Sequence, residues 1–201
     1  MTLSGLVLAG GRSRRMGRDK ALIGYEGETL VERAARRLAE VCDEVIIASG
    51  DGLRLPVPGC RQVADAVAGA GPLSGLVAGL EAAGHPLVAV AGVDMPHLSP
   101  ALFRLLFVRH AGEPAVVPEV GGQLEPLHAL YARSAAPALR CRLEAGERPL
   151  RAAVEGLGPL VVGPEVWGAV DPEGRFAENL NQPGDLDIVP KAFGAEGRYR
   201  R

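Results

Sequence analysis

The most continuous apolar run of the chain, LVAVAGV at residues 87–93, is too short to span a membrane and is typical of a strand buried on both faces. Two similar runs occur earlier, at residues 3–8 and 44–49, and glycine or an acidic residue follows each of the three. Apolar residues at helical spacing occupy residues 30–42 and 72–83, between these runs. Strands that alternate with helices in this way predict a three-layer α/β fold with a mainly parallel sheet.

The second half of the chain is less regular. Residues 115–118 and 124–131 flank Gly121-Gly122, which predicts an antiparallel hairpin added to the parallel sheet. His128, within this hairpin, has no partner at metal-ligand spacing, so we predict a structural role for it. We expect one domain over residues 1–189, followed by a solvated tail over residues 190–201.

Composition and charge exclude several classes of protein. Apolar residues make up 47% of the 201 residues, and the formal net charge is −2, so nothing global favours nucleic acid or a membrane surface as a partner. The three cysteines are far apart and form no C-x-x-C motif. They predict reduced thiols in a cytoplasmic protein, and we expect neither a signal peptide nor a membrane span.

The segment that follows the first predicted strand combines glycine with clustered positive charge. It reads LAGGRSRRMGRDK over residues 8–20, with five cations in its last nine residues and only one acid among them. Flexible glycine backbone beside clustered cations, at the carboxyl end of a strand, suits a polyanion such as a nucleotide triphosphate. A solvated basic turn is the alternative interpretation. The spacing fits neither G-x-x-x-x-G-K-[ST] nor G-x-G-x-x-G, so any phosphate-binding loop here is of another kind.

Lys20 is unusual in a chain that otherwise uses arginine. Of 22 basic residues only Lys20 and Lys191 are lysine. A compact ammonium group can contact a single phosphate oxygen, whereas a guanidinium group requires a wider, bidentate site. Lys20 is therefore a candidate phosphate ligand, although its occurrence here by chance remains an alternative.

Acidic residues follow two of the predicted strands. Asp94 comes directly after residues 87–93, and Asp65 ends a short predicted strand at residues 61–64. Ligands of open α/β sheets bind at the carboxyl ends of the strands, which is also where Gly71-Pro72 would open a helix. A carboxylate at this edge could hold Mg²⁺ together with phosphates and water. Alternatively, Asp94 could cap the next turn.

The only two asparagines of the chain lie two positions apart, at Asn179 and Asn181. In an extended segment they would face the same side, where their amides could contact a metal, ribose hydroxyls or phosphate. A turn before Pro183 is an equally open interpretation.

In the order of its motifs, the chain resembles molybdenum cofactor guanylyltransferases, the MobA family. The resemblance covers about residues 3–189, and its first motif is highly specific. The motifs are Leu8-Ala9-Gly10-Gly11, Arg15-Met16-Gly17, Asp19-Lys20, Gly71-Pro72-Leu73, Asp94-Met95-Pro96, Glu125-Pro126 and Asn179-Leu180-Asn181-Gln182-Pro183. The resemblance implies a Rossmann-like nucleotidyltransferase fold and transfer of GMP from GTP to Mo-molybdopterin, with release of pyrophosphate. It also implies Mg²⁺ as cofactor and transient contact with proteins that deliver molybdopterin or mature molybdoenzymes.

The resemblance also assigns roles to single residues. The backbone of Leu8, Ala9 and Gly10 would contact the guanine nucleotide, while Gly11 and Arg15 would border the triphosphate.

Further along the chain, Lys20 would stabilise charge on the α-phosphate, Asp65 would recognise the nucleotide, and Asp94 would hold Mg²⁺. Asn179 and Asn181 would lie near the metal or the acceptor phosphate, and Arg148 would contact an anion on the pterin side. Catalysis is thus expected to depend on Lys20, Arg15, Asp94 and Asn181.

Several other functions fit the same fold. Cytidylyltransferases of the same cofactor pathway typically have Leu-Ala-Ala-Gly in the first loop, so Gly10 favours a guanine enzyme; sugar-phosphate and phospholactate nucleotidyltransferases are further relatives. Where some family members carry asparagine near the base, this chain has Ala48-Ser49-Gly50. A GTP-binding regulatory module without transfer activity is the alternative from another class, and it predicts loss of the lysine or the metal-binding acid. Lys20 and Asp94 are both present.

Overall fold

The computed structural model describes residues 2–10, 19–50, 52 and 55–180, and over these the chain folds around one large sheet. The strands are β1 Leu3–Leu8, β2 Gly24–Tyr25, β3 Glu28–Thr29, β4 Glu44–Ala48, β5 Arg61–Val63, β6 Leu87–Gly92, β7 Ala115–Val120, β8 Gln123–Leu124, β9 His128–Ala132 and β10 Leu160–Val162. The helices are α1 Leu30–Ala39, α2 Pro72–Ala82, α3 Pro100–Arg109, α4 Ala136–Glu144, α5 Leu150–Glu155 and α6 Pro164–Trp167. Short 3-10 helices occur at Lys20–Leu22, Arg133–Ala135 and Arg175–Ala177.

The sheet is mainly parallel, as the alternation of strands and helices predicts. Its order is β10-β7-β9-β6-β1-β4-β5, and β8 pairs only with β7. β1 pairs in parallel with β4 and β6, and β9 runs antiparallel between β6 and β7. The predicted antiparallel hairpin is confirmed, except that Glu125, Pro126 and Leu127 interrupt it between β8 and β9, because proline has no N–H to donate to a ladder.

Helices cover both faces of this sheet, which confirms the three layers. All six residues of β1 are buried, and its larger apolar side chains divide between two apolar clusters. Leu3 and Val7 pack on the side of α1 and α3, whereas Leu6 and Leu8 pack on the side of α2, α4 and α5. A strand buried on both faces is apolar at nearly every position, which is why these runs do not alternate. Ser4 is the polar exception in β1, and its hydroxyl donates to the Glu44 carboxylate.

Local signals mark the helix starts. In α1, Thr29 and Glu32 form a reciprocal capping box; in α3, Ser99 accepts a hydrogen bond from the Leu102 N–H. The prediction of a helix to residue 42 is too long, because the N–H groups of Val41 and Cys42 both return to the Leu38 carbonyl and close the helix. None of the helices within the described ranges has the length and apolar character needed to cross a bilayer.

The two-stranded hairpin formed by β2 and β3 was not predicted. Its strands have two residues each, too few for a hydrophobic period, and Glu26 and Gly27 turn with φ of 48° and 90°. The turn lies beside α1, where Arg33 forms ion pairs with Glu26 and Glu28 at 2.9 and 3.2 Å.

Candidate nucleotidyl-transfer site

Lys20 and Asp94 form an ion pair although 74 positions separate them in the chain. Lys20 begins a 3-10 helix that Asp19 caps, since the Asp19 carboxylate accepts a hydrogen bond from the Ala21 N–H at 3.0 Å. Asp94 lies two residues beyond β6. The Lys20 Nζ is 3.0 Å from Asp94 Oδ2, and only 19% and 22% of these side chains are exposed. The structure therefore brings together two of the predicted catalytic residues.

The first loop begins at the same edge of the sheet. Hydrogen bonds continue past the end of β1, from the Ala9 N–H to the Ala48 carbonyl at 2.9 Å and from the Val93 N–H to the Leu8 carbonyl at 3.1 Å. Leu8 and Ala9 are consequently rigid and buried. Gly11 and Arg15 lie outside the described residues, so their predicted contacts with the triphosphate stay predictions.

Gly10 lies against the backbone at the end of β4. A Cβ on Gly10 would be 3.0 Å from the Gly50 Cα and 3.1 Å from the Gly50 nitrogen, so a side chain here would force backbone apart. The same Cβ would lie 3.5 Å from Asp65 Oδ1, and the Asp65 N–H donates to the Gly50 carbonyl at 2.8 Å. Leu8, Ala9, Gly10 and Asp65 thus form one group of neighbours, as predicted.

Gly75 and Gly50 complete this group of neighbours. A Cβ on Gly75, in α2, would be 3.2 Å from both Asp65 Oδ1 and Leu8 Cδ2, so the missing side chain lets the helix approach the loop. Gly50, which Gly10 contacts, has a φ of 73°, a backbone conformation that glycine adopts without strain. The sequence signal for both was a glycine, at a strand end and inside a helix, where glycine is otherwise unfavourable.

The segment that carries Asn179 crosses the other side of the Asp94 turn. The Leu180 N–H donates to the Asp94 carbonyl at 2.9 Å, and the Asn179 side chain donates to the Ala177 carbonyl at 3.1 Å. The bond from Leu180 therefore holds the backbone of this segment against Asp94, while the Asn179 amide is hydrogen-bonded within its own segment. Asn181 lies outside the described residues, and its predicted contact with metal or acceptor stays a prediction.

His128 has the structural environment that the sequence predicts. It is fully buried and stacks on Phe103, with the ring centroids 4.4 Å apart, and Phe176 packs edge-on against it. Burial lowers the pKa of His128 to about 4, so the ring is neutral at physiological pH.

Arg148 caps the end of α4. Its Nη1 donates to the carbonyls of Leu143 and Glu147, both at 2.9 Å. These two bonds orient the side chain near the turn between α4 and α5. The predicted contact of Arg148 with a pterin-side anion stays a prediction.

The comparisons with known proteins agree with this geometry. The family described as "MobA-like NTP transferase domain" matches residues 5–160. The chain belongs to the MobA-like NTP transferase family. A probable molybdenum cofactor guanylyltransferase of Chloroflexus aggregans is 42% identical over 201 residues, with 96% of each chain covered.

Solved structures of similar proteins confirm the fold class. The crystal structure of molybdopterin-guanine dinucleotide biosynthesis protein A from Archaeoglobus fulgidus is 27% identical and covers 92% of this chain and 95% of its own, with a TM-score of 0.78. A 2-C-methyl-D-erythritol 4-phosphate cytidylyltransferase from Thermus thermophilus, 21% identical, has a TM-score of 0.66 over 92% of this chain and 95% of its own. At this identity the likeness concerns the fold alone. The Rossmann-like nucleotidyltransferase fold implied by the resemblance is therefore confirmed.

The donor set at Asp94 fits Mg²⁺ better than a soft metal. Within the described part of the chain, no group of three or more histidine, cysteine, aspartate or glutamate side chains could hold a metal ion. A single carboxylate is nevertheless the usual protein share of a Mg²⁺ site in which phosphates and water provide the remaining oxygens. Asp94, at the sheet edge and partly exposed, has the chemistry to be that ligand.

Glu125 is a further acidic residue at this edge, quoted in a family motif but given no role. It is half-buried, and its Oε1 accepts a hydrogen bond from the Leu127 N–H at 3.1 Å. The pKa of the Glu125 carboxyl is raised, mainly because the group is partly buried. The negative charge of Asp94 also raises it. A Cβ on Gly92 would lie 3.0 Å from Asp94 Oδ1 and 3.4 Å from Leu127 Cδ1, so the segment that carries Glu125 reaches the side chain of Asp94.

Proposed function

We propose that this chain transfers GMP from GTP to Mo-molybdopterin and releases pyrophosphate. The observation that carries the proposal is the Lys20–Asp94 pair, at the strand ends where the Leu8–Ala9–Gly10 backbone also lies. Family membership supports nucleotidyl transfer, and relatives named probable molybdenum cofactor guanylyltransferases support this pair of substrates.

The reaction requires no covalent bond between the protein and either substrate. An oxygen of the acceptor's terminal phosphate forms a bond to the α-phosphorus of GTP, the bond to the bridging oxygen breaks, and pyrophosphate leaves with that electron pair. The attacking phosphate oxygen is already ionised at neutral pH, so no general base is needed. Positioning and neutralisation of negative charge account for most of the catalysis.

Lys20 is proposed to stabilise the charge on the α-phosphate, with Arg15 beside the triphosphate and Asn181 near the acceptor phosphate. Asp94 would hold Mg²⁺, which would neutralise phosphate charge when bound. In the absence of nucleotide, Lys20 and Asp94 neutralise each other across 3.0 Å. Each is therefore held at the edge of the sheet before substrate arrives, which lowers the cost of organising the site.

Guanine is proposed to bind beside Gly10 and Asp65. A carboxylate can accept hydrogen bonds from the adjacent N–H groups of guanine, and cytosine lacks this donor pair. Because Gly10 already lies in contact with Gly50, any base must bind along the exposed side of this backbone rather than between the two loops.

Pyrophosphate release with Mg²⁺ and Mo-molybdopterin, measured in parallel with GTP, CTP and ATP, tests the proposal. We expect release with GTP alone, and a chelator should abolish it until Mg²⁺ is restored. Release with CTP would instead indicate a cytidylyltransferase. Tight GTP binding without release would favour the regulatory module.

Two substitutions test the residue assignments. Lys20→Ala and Asp94→Ala should each lower the rate by about 100-fold or more, because the first removes a cation from the α-phosphate and the second removes the carboxylate that would hold Mg²⁺. Glu165→Gln, which also removes an acidic charge but lies in α6, is the control and should keep the wild-type rate. Circular dichroism should show that all three variants remain folded, and full activity of the Lys20 or Asp94 variant would contradict its assignment.

A further inference from the structure

Glu125 is held rigidly at the end of the central strands. Its N–H donates to the Pro118 carbonyl at 2.8 Å, and the Tyr131 hydroxyl donates to the neighbouring Pro126 carbonyl at 2.9 Å. The Gly92 N–H donates to the Leu127 carbonyl at 2.9 Å. The segment 125–127 therefore crosses the end of β6, two residues before Asp94, and carries the Glu125 carboxylate with it.

The charge of Glu125 is not neutralised by any salt bridge within the ranges that the structure describes. The charge of Arg151 lowers the pKa of the Glu125 carboxyl, but the hydrogen bonds of Arg151 go elsewhere, to the Leu124 carbonyl at 3.0 Å and to Gln123 Oε1 at 2.7 Å. A half-buried carboxylate without a cation is costly, and the cost is recovered when a ligand supplies hydrogen-bond donors. One Glu125 oxygen accepts from Leu127, and the other has no partner among the described residues.

The order of the strands indicates which of the two substrates Glu125 can contact. The proposed nucleotide residues Leu8, Gly10 and Asp65 lie at the ends of β1 and β5, on one side of β6. Glu125 lies between β8 and β9, on the other side of β6. Asp94, which follows β6, is between them. In a reaction of two substrates that meet at Asp94, the side of Glu125 is the side left for the acceptor.

We propose that Glu125 binds the ring of the acceptor through ring N–H donors. This inference rests on the proposed function for the identity of the acceptor, whose pterin ring has an amino group beside a ring N–H. A carboxylate accepts hydrogen bonds from such an adjacent pair. The acceptor phosphate, being anionic, is repelled by Glu125 and attracted to Lys20, so the two charges orient the acceptor with its phosphate towards the nucleotide.

Glu125→Gln removes the charge while keeping the size of the side chain and an oxygen for the Leu127 N–H. We expect the KM for Mo-molybdopterin to rise about 10- to 100-fold, as for the loss of a charge-assisted hydrogen bond. The KM for GTP, the Mg²⁺ concentration for half-maximal rate, and kcat at saturating acceptor should stay unchanged. Glu119→Gln, in the same hairpin, is the matched control and should leave all four values unchanged.

Two results would overturn the proposal. One is an unchanged KM for the acceptor with an unchanged Mg²⁺ requirement, which would leave Glu125 without a role in binding. The other is an unchanged KM for the acceptor with a raised Mg²⁺ requirement, which would make Glu125 a metal ligand. GTP binding by the variant, measured by calorimetry, confirms that it is folded.

Direct binding separates this proposal from the proposed function. Fluorescence titration with 6-hydroxymethylpterin, which has the ring but no phosphate, should show binding to the wild-type chain and about 10-fold weaker binding to Glu125→Gln. This result would support the ring contact even if the wild-type chain released no pyrophosphate from GTP. Equal binding to both, or no binding to the wild type, would refute it.

Discussion

Replacing Arg33 by alanine is expected to destabilise the fold far more than replacing its neighbour Arg36, although both side chains bind Glu28. Arg33, on α1, is 16% exposed. Its Nε donates to the Pro96 carbonyl at 2.8 Å, and its guanidinium lies 4.9 Å from the centroid of the Tyr25 ring. Arg33 thus joins α1 to the hairpin of β2 and β3 and to the turn that carries Asp94.

The magnitude follows from these contacts. A hydrogen bond from a charged group contributes about 1.5–3 kcal/mol, and the cation–π contact about 0.5–1 kcal/mol. The ion pair with Glu26 adds little, because the Glu26 side chain is 53% exposed. The Arg33→Ala variant should therefore lose about 2–4 kcal/mol of unfolding free energy. The Arg36 side chain is 53% exposed and pairs with the carboxylates of Glu28 and Glu40, which are 23% and 39% exposed. Water screens these pairs, so Arg36→Ala should cost less than about 1 kcal/mol.

Urea denaturation of the wild type and both variants measures these losses. Thermal unfolding provides a second reading, with a midpoint about 5–12 °C lower for Arg33→Ala and less than about 4 °C lower for Arg36→Ala. Equal losses in the two variants would refute the reasoning, because they would show that burial and the Pro96 hydrogen bond add nothing to a surface ion pair.

Three further predictions concern other parts of the fold. Because His128 is neutral in the folded state down to pH about 4 but takes up a proton near pH 6.5 when unfolded, stability should fall as the pH decreases through this window. The loss from pH 7 to 5 should be about 2 kcal/mol by urea denaturation, and His128→Phe should remove that share of it. Gly10→Ala should raise the KM for GTP by about 10-fold, since its Cβ displaces the Gly50 backbone; an unchanged KM would show that the loop adapts freely. Among the cysteines, exposed Cys141 should react first with a thiol reagent, while burial raises the pKa of Cys42 to about 12 and keeps it unreactive; Cys141→Ser should therefore abolish the fast phase.

Local chemistry made much of the fold predictable. The runs that became β1, β4 and β6 are apolar at nearly every position, which only burial on both faces explains. Pro72 and Ser99-Pro100 marked the starts of α2 and α3, because caps act within one helical turn. The hairpin of β2 and β3 had no such signal, since two residues are too few to show a period.

Part of the candidate site was also predictable, because the carboxyl ends of parallel strands share one edge. That rule predicts that Leu8, Asp65 and Asp94 lie at one edge of the sheet. The contact between Gly10 and Gly50 was not predictable, because 40 positions separate the two residues in the chain. The position of Glu125 was equally unpredictable from the sequence, because Glu125 reaches this edge only through the pairing of β9 between β6 and β7.

The class of fold, the family resemblance and the shared edge of the strand-end residues follow from the sequence, because each depends on short stretches of chain. The individual contacts between distant side chains follow only from the tertiary structure. Three contacts join distant segments of the chain. They are the 3.0 Å ion pair of Lys20 with Asp94, the hydrogen bond from Arg33 to the Pro96 carbonyl, and the bond from Gly92 to Leu127 that places Glu125 at the end of β6. Such contacts depend on sheet order and on the packing of whole helices, and no local pattern of residues encodes them.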